Sequence, residues 1–160
     1  MEKYSFEDFE AIIARLRAED GCPWDREQTH ESLKPCLIEE TAETISAINI
    51  YQKTGSTENL VEELGDVLLQ VVMHAQIASE EGLFTMEDIL AGISQKMIRR
   101  HPHVFGDVSV ENSDQVLDNW KKIKKQEKSG KEWVDQELPG SLEEIKDQLN
   151  EIKKKKFPNN

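Results

Sequence analysis

Two acidic segments, Leu37-Ile38-Glu39-Glu40-Thr41-Ala42-Glu43 and Leu60-Val61-Glu62-Glu63-Leu64-Gly65-Asp66, set carboxylates at matching offsets from an apolar pair. A helix turns about 100° per residue, so Glu40 shares a stripe with Glu43, and Glu63 shares one with Asp66, because residues three apart are surface neighbours. Carboxylates brought together in this way repel one another and raise some of their pKa values unless a cation lies between them. All-oxygen ligation suits a hard ion, Mg²⁺ first with Mn²⁺ as its substitute; a di-iron bundle wants Glu-x-x-His pairs, which these segments lack. One Glu-Glu-x-x-Glu run alone would equally describe a solvated helix face, since Glu is a strong helix former. The repeat in matched apolar phase is what singles out a metal site.

The elements that must position these groups follow from the pattern around them. Leu37, Ile38, Ile45 and Ile48 border the first acidic stripe, and Leu60, Val61, Leu64, Leu68, Val71 and Val72 border the second, which continues through Gln70 and His74. Pairing these apolar faces in an antiparallel hairpin brings the two stripes together. Pro35 fits the first turn of the first helix, which runs to about Gln52. Thr54-Gly55-Ser56 is the turn, and Asn59 with Glu62 resembles a capping box opening a helix that runs through Glu80.

Cationic and aromatic groups recur at helical spacing further along. Lys96 and Arg100 are four apart, as are Trp120 and Lys124, so each pair shares a helix face. Arg offers planar bidentate contacts to phosphate oxygens, Lys a mobile point charge, and Trp a flat surface on which a base can stack. The same residues also suit a helix C-terminus and a core stripe. His101 and His103 flank a proline without partnering cysteines, which argues against zinc, and His74 reads as a hydrogen-bonded histidine at the edge of the core. No Ser-His-Asp order, P-loop or G-x-G-x-x-G is present, so a covalent nucleophile is not indicated.

The remaining chain supplies further helices. Ser5 opens one through about Ala18, Gly21-Cys22-Pro23-Trp24-Asp25 reads as an ordered loop with Trp24 needing cover, and Thr85 starts a helix to Arg100. His101 to Gly106 reads as a loop, Ser113-Asp114 opens a helix through about Lys128, and a short charged helix begins at Ser141 with a fraying lysine end. At 160 residues, with 37% hydrophobic and 32% charged residues and eight glycines, the composition is that of a helical protein with one core. A net charge of −12 argues against a nucleic-acid polymer or an anionic membrane as partner. No long apolar run or signal-peptide pattern appears, so the expected location is the cytoplasm, with Cys22 and Cys36 as reduced thiols.

Taken together, Glu39-Glu40-x-x-Glu43 followed by Glu63-x-x-Asp66 resembles the metal signature of the all-α nucleoside triphosphate pyrophosphohydrolases, and the closest resemblance is to the MazG family. Gly21-Cys22-Pro23-Trp24-Asp25, His30-Glu31-Ser32-Leu33-Lys34-Pro35, the segment Glu62 to Val72, and Arg99-Arg100-His101-Pro102-His103-Val104-Phe105 are similar to MazG segments in MazG order. The resemblance extends from about Phe6 to Lys124. It implies an all-α antiparallel bundle that hydrolyses nucleoside triphosphates to monophosphate and pyrophosphate. Mg²⁺ would be held by Glu40, Glu43, Glu63 and Asp66; Glu39 would bind a further metal or orient the attacking water. Lys96, Arg100, Trp120 and Lys124 would contact the nucleotide. It also implies a homodimer or higher homo-oligomer. Longer members carry two related domains; this sequence matches one, over residues 1–128, with residues 129–160 a charged tail. A narrower enzyme for one deoxy or modified nucleotide, or a non-catalytic metal- or nucleotide-binding module, would carry much of the same pattern.

Overall fold

A computed structural model describes residues 3–158 of the chain. The described residues form helices connected by short turns, with no strand among them: α1 (Phe6–Arg17), α2 (Pro23–Glu27), α3 (Lys34–Thr54), α4 (Glu58–Glu80), α5 (Met86–Arg100), α6 (Pro102–Phe105), α7 (Ser113–Lys128) and α8 (Glu132–Lys156). The all-α class expected from composition and periodicity is therefore the observed one. The described residues up to Met86, together with those from Ile145 onward, form one compact unit; Glu87–Glu144 form another.

In the first unit α1 starts on a full capping box. The Ser5 hydroxyl accepts from the Asp8 amide at 3.1 Å and the Asp8 carboxylate accepts from the Ser5 amide at 2.8 Å, so two orphan donors are satisfied. Pro35 lies in the first turn of α3 as expected, where its missing N–H costs nothing. Gly55 ends α3 at φ 75° while its amide donates to the Tyr51 carbonyl at 2.8 Å, a left-handed cap that favours glycine. The chain reverses there into α4, and α3 and α4 form the expected hairpin, against which α1 packs through α4.

Of the residues the apolar pattern indicated, only Val72 is fully buried where the hairpin closes. Its buried positions are Ala47 on α3 and Gln70, Val72, Met73, Ala75, Ile77 and Ala78 on α4, joined by Ile13 of α1 and by Leu33. Ile45, Val61, Leu64 and Leu68 remain 57, 70, 53 and 41% exposed. The reason is steric: small Ala47 lets α3 approach α4 along the acidic stripes themselves, which turns the larger aliphatic residues outward. Thr44 fixes this contact, its hydroxyl lying 2.8 Å from the Glu40 carbonyl on its own helix and 3.3 Å from the Glu63 carbonyl on α4.

Several local expectations change. Asn59 is not the N-cap of α4; Thr57 occupies that place without a side-chain bond, and Asn59 turns to Glu63 instead. The segment expected as a loop contains the short helix α2, and Trp24 is 56% exposed rather than covered. Pro102 starts α6 inside the second expected loop. Gly21 has a steric role: a Cβ there would collide with the Leu16 carbonyl, while the Cys22 amide donates to that carbonyl at 2.7 Å. α8 begins at Glu132, well before Ser141, and continues through Pro139, because a proline within a helix removes one hydrogen bond and bends the axis without always ending it. Its lysine end does not fray: the helix extends to Lys156.

Candidate functional site

Where α3 and α4 face each other, carboxylate oxygens of Glu40, Glu43 and Glu63 lie within 4.8 Å of one another. All three side chains are half-buried, so their charges are only partly screened. Glu40 feels this most: burial pushes its carboxyl above the ordinary range, and the charges of Asp66, Glu43, Glu39 and Glu63 push in the same direction. Asp66 lies outside the tight cluster but contributes the largest charge effect on Glu40. The arrangement thus joins the two acidic motifs by proximity for three residues and by field for the other two.

Second-tier contacts orient these groups. The Asn59 amide donates to Glu63 Oε1 at 2.8 Å, leaving the other carboxylate oxygen free of that bond. On the opposite side, the Lys156 ammonium pairs with Glu39 at 2.6 Å and also with Glu43. That contact drives the ammonium pKa further up, through its bonds to Glu39 and Glu43. The cluster therefore draws a cation even from its own chain. Hard divalent ions meet the same donors on better terms, since they accept several carboxylate oxygens at once. Sequence reasoning missed Asn59, Thr44 and Lys156; the first two carried a different expected role or none, and the third lies more than a hundred residues from its partners.

His74, beyond Gln70 on the acidic stripe, meets His30. Their Nδ1 atoms are 2.8 Å apart and the rings stack with centroids at 5.1 Å, so one ring donates and the other accepts. Burial holds His74 below the usual histidine range, and His30 adds to the effect. Each ring thus has a partner at Nδ1, and the edge-of-core expectation for His74 stands. Gln70 is 6% exposed and its Oε1 has no partner among the described residues.

The cationic residues belong to the second unit. Arg100 of α5 lies over the Trp120 ring of α7, with its guanidinium carbon 5.5 Å from the centroid, and His101 meets the same ring edge-on at 5.6 Å. The α5–α7 contact thus brings together two of the four residues that the helical spacing singled out. Lys96 is half-buried and Lys124 exposed. Lys124 lines an open cavity of about 490 Å³ with Lys121, Lys125, Lys128 and Glu132, in which Lys121 and Lys128 are paired with Asp118 and Asp135. Among the described residues no helix is long and apolar enough to cross a membrane, and Cys22 and Cys36 are unbridged.

Comparison with known proteins bears on what such an arrangement does. Residues 28–105 match the family model described as the MazG nucleotide pyrophosphohydrolase domain. The chain is 43% identical over 183 aligned positions to a Thermotoga maritima protein named nucleoside triphosphate pyrophosphohydrolase/pyrophosphatase MazG, with 96% of this chain and 68% of that protein covered. It is 50% identical over 121 residues to the Escherichia coli nucleoside triphosphate pyrophosphohydrolase, covering 75% of this chain and 44% of that protein. Over 129 residues it is 53% identical to Bacillus subtilis YabN, covering 81% of this chain and 26% of that one. The chain therefore spans less than half the length of two of these relatives and about two thirds of the third.

Proposed function

Because this chain belongs to the MazG nucleotide pyrophosphohydrolase family, we propose that it hydrolyses nucleoside triphosphates at the bond between the α- and β-phosphates, releasing a nucleoside monophosphate and pyrophosphate. The observation that carries this reading is the cluster of Glu40, Glu43 and Glu63, whose oxygens converge within 4.8 Å on a half-buried face and already attract an ammonium. Mg²⁺ is the expected ion and Mn²⁺ its substitute, because the donors are all carboxylate oxygens. Glu40, Glu43 and Glu63, with Asp66 beside them, would hold it. The ion, when bound, neutralises phosphate oxygens and lowers the pKa of a bound water.

The chain's own residues do the rest. Glu39, which pairs with Lys156 in the absence of substrate, would bind a further metal or orient the attacking water. Arg100 and Lys124 bind phosphate oxygens, Lys96 adds a mobile charge, and Trp120 provides a flat apolar surface for the base. Stacking and charge do not discriminate between bases, so the substrate range is broad. Holding triphosphate and water in one orientation removes much of the entropic barrier.

The exposed aliphatic stripe of the hairpin, including Val61 and Leu64, supports a homodimer, since a contiguous apolar face of this kind is characteristic of an interface. Light scattering after size-exclusion chromatography is expected to give twice the 18.4 kDa chain mass, and Val61→Glu to shift it toward the monomer. A wild-type monomer at micromolar concentration would refute the assembly. For the site, Glu40→Gln and Glu63→Gln are each expected to lower kcat by about 10²-fold or more, with helical circular dichroism unchanged. Undiminished turnover in folded variants would remove these carboxylates from the reaction.

A further inference from the structure

Arg99 and Arg100, at the end of α5, both reach the same carboxylate on α7. Glu127 Oε1 accepts from Arg99 Nε at 2.7 Å, while Oε2 accepts from Arg100 Nε at 3.0 Å and Nη2 at 2.6 Å. The two pairs are not equivalent. Arg100 and Glu127 are 15 and 18% exposed, whereas Arg99 is 52% exposed, so the Arg100 contact is the shielded one. The same guanidinium lies over Trp120. His101 supports that ring edge-on, its own Nδ1 donating to the Met97 carbonyl at 2.6 Å.

A guanidinium presents five N–H donors in a rigid plane. Here the Nε side is taken by Glu127 and one face by Trp120, while Nη1 has no protein partner among the described residues. Its rotation about the side-chain axis is fixed by groups that leave a defined edge for another acceptor. The bonds from Arg100 and Arg99 hold the Glu127 carboxyl below its usual range, so the clamp stays charged at neutral pH. A phosphate oxygen bonded at a guanidinium already fixed in this way freezes fewer rotamers than one bonded by a free arginine.

We propose that Glu127 is a positioning residue for nucleotide binding, which holds the Arg100 guanidinium against Trp120 and reserves its Nη1 edge for a phosphate oxygen. The proposal rests on the reading that Arg100 binds the nucleotide. It distinguishes Glu127 from a simple tie between α5 and α7, because a tie acts on the fold whereas a positioning residue acts through Arg100.

A double-mutant cycle separates the two. Glu127→Gln, Arg100→Ala and the double variant are compared for KM, kcat, thermal midpoint, and affinity for an α,β-methylene triphosphate that is not cleaved. Glu127→Gln is expected to raise KM and weaken the analogue about tenfold while kcat stays within about twofold, and to add nothing further once Arg100 is alanine. Additive effects in the double variant, or wild-type affinity in Glu127→Gln, would overturn the proposal while leaving the nucleotide reading intact. Failure of the wild type to bind the analogue would instead overturn both. Should Glu127→Gln lose its fold by circular dichroism, Glu127→Asp, which keeps the charge and shortens the reach, is expected to show the same non-additivity, and additivity there counts against the proposal equally.

Discussion

Glu40 bears the most unfavourable environment of any carboxylate in the acidic cluster. Burial and neighbouring negative charges both oppose its ionised form, so the raised carboxyl is a cost to the folded state that grows as pH rises through its folded pKa. Replacing Glu40 by Gln relieves that cost. In metal-free buffer at neutral pH, Glu40→Gln is expected to raise the thermal midpoint, by an amount equivalent to about 1 kcal/mol, and to lose the stabilisation that Mg²⁺ or Mn²⁺ confers on the wild type. Scanning calorimetry with and without the ion checks both halves; a metal-induced shift that survives the substitution would remove Glu40 from the ligand set. At this scale the sequence was most informative. Spacing alone indicates that Glu40, Glu43, Glu63 and Asp66 converge, because helical periodicity fixes which carboxylates share a stripe; the first three meet and Asp66 stands outside the tight cluster. Spacing gives no sign of Asn59 gripping Glu63 or Thr44 bridging to it, since both depend on how closely α3 approaches α4.

That approach is governed at the scale of elements. Ala47 and the small buried residues of α4 let the hairpin close along its acidic side, a choice invisible to a pattern that weighs large aliphatic residues most heavily. Helix ends are more legible: Ser5, Pro35 and Gly55 punctuate the chain because capping and turn chemistry are local. Between α1 and α4 the tie is Arg17, whose side chain is 6% exposed and which bonds Glu80 at 2.7 Å and the carbonyls of Asp25 and Gln28. Glu80 is 38% exposed, so solvent screens part of the pair. Removing its charge still leaves a buried guanidinium short of a partner. Glu80→Gln is expected to destabilise the protein by about 1–2 kcal/mol at neutral pH. The bonds from Arg17 hold the Glu80 carboxyl below its ordinary value of 4.5. The stabilisation is therefore present above that value and disappears as pH falls through the folded pKa. Urea melts across the acid range should show wild type and variant converging at low pH; a constant gap would assign the loss to packing.

For the whole molecule, charge and apolar surface are both left unfinished by a single chain. The exposed stripe of Ile45, Val61, Leu64 and Leu68 suits a second copy, and the acidic cluster suits a cation that Lys156 only partly replaces. With Lys156 about 39% exposed and Glu39 34%, such a pair is worth at most about 1 kcal/mol. Lys156→Met is accordingly expected to lower the Mn²⁺ concentration for half-saturation by up to about fivefold, read by calorimetric titration; unaltered affinity would mean that the ammonium does not compete for the site. This contact was beyond sequence reasoning, because no local rule relates Lys156 to carboxylates on α3. The family resemblance, in contrast, is carried by motifs spread from Gly21 to Phe105, most of which fall within residues 28–105 of the matching family model. The central claim concerns which bond is broken. Incubating the purified protein with a panel of canonical, deoxy and modified triphosphates, with Mg²⁺ or with EDTA, and resolving the products by chromatography tests it most directly. Equal amounts of monophosphate and pyrophosphate, across several bases and only with the metal, are the expected result; a diphosphate with inorganic phosphate, or no turnover of any triphosphate, would contradict it.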